Sequence, residues 1–128
     1  MKSESEVQNE IRLHTSTLGG RLYRNNVGVA MRKDGTPVRY GLCNESYQVN
    51  SKLKSSDLIG IRPVVITQEM VGQTIGQFVS IEVKREGWKY KGSDREVAQK
   101  RWLDLVKRLG GIGGFISDTS QLDELFKS

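Results

Sequence analysis

Three side chains in this sequence are of the types that work on phosphate esters: Asp57, Glu82 and Lys84. Glu82 and Lys84 close the run Gln77–Lys84 (Gln-Phe-Val-Ser-Ile-Glu-Val-Lys), the strongest strand signal in the chain. Strand side chains alternate, so Glu82 and Lys84 share one face and Val83 takes the other. Charges on a covered strand face are costly unless each has a partner. Taken alone, Glu-x-Lys is a weak motif, and a solvated face carrying an ion pair accounts for it. Asp57 changes the weighing, because it opens a second apolar strand, Asp57–Ile61, 25 residues before Glu82. If the two strands pair, both carboxylates converge at one end of a sheet. With a backbone carbonyl they offer the hard oxygen ligands that Mg²⁺ prefers. A lysine beside such a site positions or helps deprotonate an attacking water and offsets charge developing on a phosphate. The chemistry this set suits is phosphodiester hydrolysis.

The elements that must position these groups are legible in the spacing. A helix is expected over Ser5–Thr17, with Ser3 and Glu6 as a capping box, Val7, Ile11, His14 and Leu18 as one stripe, and Gly19-Gly20 as its stop. Arg21–Asn25 reads as a short strand. Val27–Met31 and Thr36–Tyr40 flank Lys33-Asp34-Gly35, a hairpin signal. Gly41–Ser56 is polar and aperiodic and reads as a loop, and Thr67–Met70 as one helical turn capped by Thr67. A second helix, Ser93–Leu109, opens on a Ser93/Glu96 capping box, carries an apolar face of Ala98, Trp102, Leu105, Val106 and Leu109, and closes at Gly110. Gly113–Ser117 reads as a last buried strand and Ser120–Lys127 as a terminal helix. This order predicts an α/β fold with a mixed β-sheet flanked by helices.

A chain of 128 residues fits a single domain spanning 1–128. Lys and Arg number 20 against 15 Asp and Glu, a net charge of +5 that favours a polyanionic partner such as nucleic acid. No apolar run approaches the ~18 residues of a membrane span. The first ten residues have no apolar core, so no secretory signal is expected. One cysteine and one histidine leave no zinc site and no internal disulfide. Cytoplasmic residence is the expectation. The loop Lys84–Lys91 mixes four cations with Trp88 and Tyr90. Its aromatics either stack on an unpaired base or anchor a solvated loop. Arg85, Lys89 and Lys91 there, and Arg21, Arg24, Arg32, Lys33 and Arg39 earlier, are candidate phosphate contacts. Asn25 and Asn26 are candidate nucleic-acid ligands or turn formers. His14 is expected to pack, Cys43 lacks a nearby base, and Gly110–Gly114 reads as a helix stop rather than a phosphate loop.

Ser56-Asp57, a gap, and Glu82-Val83-Lys84 resemble the PD-(D/E)XK nuclease signature, with serine in place of the proline. Across the chain, Glu10, Gly20–Asn26 (Gly-Arg-Leu-Tyr-Arg-Asn-Asn), Ser56–Gly60, Ile81–Lys84, Gln99 with Trp102, and Gly110-Gly111 are similar to the VRR-NUC (virus-type replication-repair nuclease) domain in its stand-alone phage form. The resemblance runs from Glu6 to Ser117. It implies a restriction-endonuclease-like core and a metal-dependent DNA endonuclease. Asp57, Glu82 and the Val83 carbonyl would hold Mg²⁺ or Mn²⁺, with Lys84 as catalytic lysine. Glu10 would approach from the first helix as outer ligand or water-positioning acid, and Gln99 would reach in from the second. On a helical wheel Glu10 lies about 60° from Val7, and Gln99 about 60° from Trp102, so both border apolar stripes. The resemblance further implies a homodimer acting on branched DNA such as Holliday junctions, in the cytoplasm of a bacterium or phage-infected cell, with no small-molecule cofactor and no membrane. The alternatives are a non-catalytic nucleic-acid-binding module and a protein-interaction domain.

Overall fold

The first helix, α1 (Glu4–Thr17), starts where Ser3 Oγ accepts a hydrogen bond from the Glu6 amide at 3.2 Å. It ends in a Schellman turn: Gly20 N donates to Thr15 O, Gly19 N donates to Ser16 O, and Gly19 adopts φ +88°. The computed structural model describes residues Met1–Lys127, and the chain falls into two compact units, Met1–Gly60 and the part from Ile61 onward. Each is described by itself.

In the N-terminal unit α1 leads through the two glycines into β1 (Arg21–Arg24), and Arg12 Nε donates to Leu22 O at 3.3 Å. Strands β2 (Gly28–Met31) and β3 (Pro37–Tyr40) form the expected antiparallel hairpin, with Val29 opposite Arg39 and Ala30 opposite Val38. Its turn is held by Asp34 Oδ1, which accepts from the Thr36 hydroxyl and amide; the hydroxyl bond is the larger cause of an Asp34 carboxyl below the usual range. The segment Gly41–Ser56, expected as a loop, contains a helix, α2 (Tyr47–Lys52), capped by Ser46 Oγ on the Val49 amide. Six residues are too few to display a periodic stripe, and the serine cap was the legible signal. Two asparagines hold the loop. Asn25 Nδ2 donates to Ser55 Oγ and Ser56 O, while its Oδ1 accepts from Leu42 N. Asn44, buried, donates to Gly28 O and Tyr40 O and accepts from Arg39. Helix α1 buries none of its residues, and His14, expected to pack, is exposed.

Strand β4 (Leu58–Ile61) pairs with β1, and a Cβ at Gly60 would collide with the Arg21 carbonyl oxygen. Only glycine permits that approach. The strand stops at Arg62-Pro63, where proline removes the next ladder donor.

The C-terminal unit begins with an extended arm, residues 62–78, interrupted by a 3₁₀ turn at Gln68–Met70 that Thr67 does not cap through its side chain. Val65, Ile66, Val71 and Ile75 of the arm are exposed, and Arg62 and Glu69 are its charged residues. Next come β5 (Val79–Val83), α3 (Asp94–Arg108), β6 (Ile112–Ile116) and α4 (Thr119–Lys127). β5 and β6 pair in parallel, Ser80 opposite Gly113 and Glu82 opposite Phe115, with α3 as the crossover a parallel pair requires. Leu103 and Val106 of α3 are 3% and 0% exposed and form the core over this pair. The helical spacing does not place Leu103 on the expected apolar face, yet it is buried, whereas Ala98, on that face, is exposed. Gly113 admits the close approach of α3: its Cβ would sit 3.1 Å from Leu103 Cδ2. Helix α3 ends in a second Schellman turn, with Gly111 N on Val106 O and Gly110 N on Lys107 O.

Among the described residues the fold is thus mixed α/β with four helices and small sheets. The strands pair two by two, β1 with β4, β2 with β3 and β5 with β6, instead of forming the single mixed sheet expected. Strands of four or five residues, separated by Gly-, Pro- and Asn-containing turns, have little length over which to extend a ladder. No helix among the described residues is long and apolar enough to cross a membrane. Replacing Gly60 by Ala is expected to lower stability by about 1–3 kcal/mol. Gly76→Ala, where no atom lies within 4 Å of the added methyl, shifts it by less than ~0.5 kcal/mol. Urea unfolding of both variants measures the difference.

Candidate active site

Strand β5 and the residue that follows it present Ser80, Glu82 and Lys84 on one side, and α3 answers with residues three apart. Trp102 Nε1 donates to Ser80 Oγ at 2.7 Å. One turn earlier, Gln99 sits between the two charges: its Nε2 donates to Glu82 Oε1 at 3.0 Å, and its Oε1 accepts from Lys84 Nζ at 2.9 Å. Lys84 Nζ lies 3.8 Å from Glu82 Oε1. The spacings i, i+2, i+4 on the strand and i, i+3 on the helix bring these groups into register. The Lys84 side chain is 16% exposed and that of Glu82 37%, so the ammonium is largely covered while the carboxylate reaches solvent. Glu82 Oε2 has no hydrogen-bond partner among the described residues.

A layer beneath holds the lysine. Its Nζ lies 5.4 Å from the Trp88 ring centroid and 5.7 Å from that of Phe115, both within cation–π range. Trp88 packs on Phe115 with centroids 4.9 Å apart, meets Tyr90 edge-on, and donates Nε1–H to Glu96 Oε2 at 3.0 Å. Glu96 is at the same time the reciprocal member of the α3 capping box, its Oε1 accepting from the Ser93 and Lys91 amides. Hydrogen bonds from Ser93, the backbone amide first, hold its carboxyl below the usual carboxylate range against the opposing effect of burial. Trp88 is therefore half-buried, with its ring packed on Phe115 and its N–H engaged by Glu96. Tyr90 remains more exposed. The support of Lys84 by Trp88, Phe115 and Glu96 went unread in the sequence: Ser93/Glu96 registers there only as a cap, and Phe115 comes beside Glu82 through the β5–β6 register.

The other expected site residues lie in the N-terminal unit. Asp57 precedes β4; its backbone carbonyl accepts from Asn25 N at 2.9 Å, and its exposed carboxylate has no partner among the described residues. Glu10 is exposed on α1 and paired with Lys2 Nζ at 2.9 Å. The Asn25 amide is fully engaged in the loop described above, which makes it a structural staple; Asn26 is exposed and makes no side-chain bond. Arg21 donates to Gly20 O, and Arg24 is exposed. Arg85, Lys89 and Lys91 are exposed in the loop after β5.

Among the described residues no three of His, Cys, Asp and Glu gather as a metal-holding group. A site of the kind read from the sequence needs only two carboxylates and a carbonyl. Carboxylate oxygens are hard donors of the kind divalent ions take, and each unit offers some unbonded: Glu82 keeps one in the C-terminal unit and Asp57 both in the N-terminal unit. No protein-family model, curated protein or solved structure matches the chain.

Because the Glu96 carboxyl is held low, its contribution to stability is complete above the usual carboxylate range and fades as the pH falls through the lowered value. Glu96→Gln is therefore expected to melt below the parent at pH 7, with the gap closing in acid. Paired thermal melts from neutral pH to pH ~3 measure it.

Proposed function

We propose that this chain is a divalent-metal-dependent DNA endonuclease of the PD-(D/E)XK type, with a restriction-endonuclease-like core of VRR-NUC character. The observation that carries the reading is the set made by Glu82, Lys84 and Gln99, in which one amide joins an acid and a base on a single strand face. A solvated Glu-x-Lys pair has no need of a helix residue contacting both charges.

In this reading Asp57, Glu82 and the Val83 carbonyl hold Mg²⁺ or Mn²⁺. Such an ion, when bound, acidifies water and neutralises phosphate charge. The chain's own residues do the rest. Lys84, held in place by Glu82, Gln99 and two aromatic faces, offsets the charge that builds on the phosphate as the P–O bond breaks. Gln99 fixes where that ammonium sits, and Glu10 serves as a further acid from α1. Arg21, Arg24, Arg85, Lys89 and Lys91 neutralise flanking phosphates, and Asn26 is a further polar contact. The small size of the chain, with no element rich in base-reading side chains among the described residues, favours DNA structure over sequence as the determinant. A homodimer acting on branched substrates in replication, recombination or repair follows from the resemblance.

Purified protein incubated with labelled single strand, duplex, flap and four-way junction in Mg²⁺, Mn²⁺ or EDTA tests the reading. Asp57→Ala, Glu82→Ala and Lys84→Ala each lower cleavage by about 100-fold or more while the circular dichroism spectrum is kept. Gln99→Ala loses about 10- to 100-fold. Parental rates in the first three variants overturn the proposal. Salt-sensitive binding with no turnover in any divalent ion replaces it with the non-catalytic binding module.

A further inference from the structure

The N-terminal unit contains a polar cavity of about 510 Å³ that the reading above does not use, bounded by the β2–β3 hairpin, α2 and the segment leading to β4. Its volume lies within the range of small-molecule sites, ~300–1,000 Å³. The walls are fixed: Asn25 and Asn44, which line it, have their amides engaged in the backbone and side-chain bonds that hold the loop to the hairpin. The remaining lining groups are of a different kind. Asn26 has neither amide atom bonded, and Asn50 uses only its Oδ1, which accepts from Lys54 Nζ at 2.8 Å. Two cations, Arg39 and Lys54, sit on the same lining, with Val27 and Val29 supplying an apolar wall and Asp57 completing the rim.

Free amides read the donor and acceptor edges of a base, cations neutralise a phosphate, and an apolar wall covers a sugar or base face. A base within a duplex has its pairing edge occupied and its faces stacked, so a cavity with these groups favours a nucleotide out of the helix. We propose that this cavity binds one unpaired nucleotide of the DNA substrate, its base edge on Asn26 and Asn50 and its phosphate on Lys54 and Arg39. The inference rests on the nuclease reading, which makes Asp57 a metal ligand and thereby sets an unpaired nucleotide next to the phosphate to be cut. It names the substrate class, DNA with unpaired residues at a branch point, for which the site would be selective.

The test is run in EDTA, so that binding is read without turnover. Deoxythymidine monophosphate, thymidine and inorganic phosphate are each titrated into the ¹⁵N-labelled full chain. The monophosphate is expected to move the side-chain amide resonances of Asn26 and Asn50 and to saturate in the millimolar range, with thymidine and phosphate each about tenfold weaker. Lys54→Ala, at an exposed side chain, weakens the monophosphate about tenfold, and Val29→Glu, which sets a carboxylate on the wall, does the same. The proposal is overturned if those resonances stay still, if inorganic phosphate binds as tightly as the nucleotide, or if both variants bind as the parent does. A protein that cuts DNA yet shows no such shifts loses the cavity and keeps the nuclease reading. One that binds the nucleotide but never cuts loses the nuclease reading alone.

Discussion

The acid and the base on one face of β5 are joined by a single neutral group that bonds to both, the Gln99 amide. Its carbonyl meets the Lys84 ammonium and its amine the Glu82 carboxylate. A carboxylate in its place would repel Glu82, and an ammonium would repel Lys84. The amide can do so only because α3 runs over β5 with Trp102 on Ser80 one turn further along. Helix placement and charge placement are one constraint.

That constraint continues outward through residues with two duties. Glu96 caps α3 and anchors Trp88; Trp88 fills space against Phe115 and faces the lysine ammonium. The helix start that sets the position of Gln99 is thus stabilised by the residue that braces Lys84 from the other side. Stability and site geometry are coupled here, so loosening the cap loosens the charge. The glycine turns act in the same sense at the other helix end: Gly111 N bonds back to Val106 O while Ile112 N bonds to Phe78 O, leaving no slack between α3 and β6.

Elements with strong local signals were legible in the sequence. Ser3, Ser93/Glu96, Asp34-Gly35, Gly19-Gly20 and Gly110-Gly111 each satisfy backbone groups within a few residues, and helices α1 and α3, the hairpin and strands β1, β4, β5 and β6 lie close to where the sequence pattern puts them. Gln99 was singled out through resemblance, and its wheel position is consistent with the contact it makes. What local pattern could not carry was anything set by distant partners. Leu103 is buried because Gly113 across the gap has no side chain, a fact of register rather than periodicity. Trp88 faces inward because Glu96 and Phe115 receive it. Helix α2 is one and a half turns long, below the length at which an apolar stripe can repeat. The asparagines at 25 and 44 are typical turn residues by type; only their contacts reveal them as clamps.

The arm after β4 carries a hazard of its own. Val64-Val65-Ile66 is β-branched, uncharged and exposed, which is the composition that seeds intermolecular strand stacking. Arg62 and Pro63 stand directly before it, a charge and a residue unable to donate to a ladder, the two features that commonly guard such stretches against self-association. Arg62 and Pro63 are thus the two surface positions whose replacement is expected to promote self-association at high concentration.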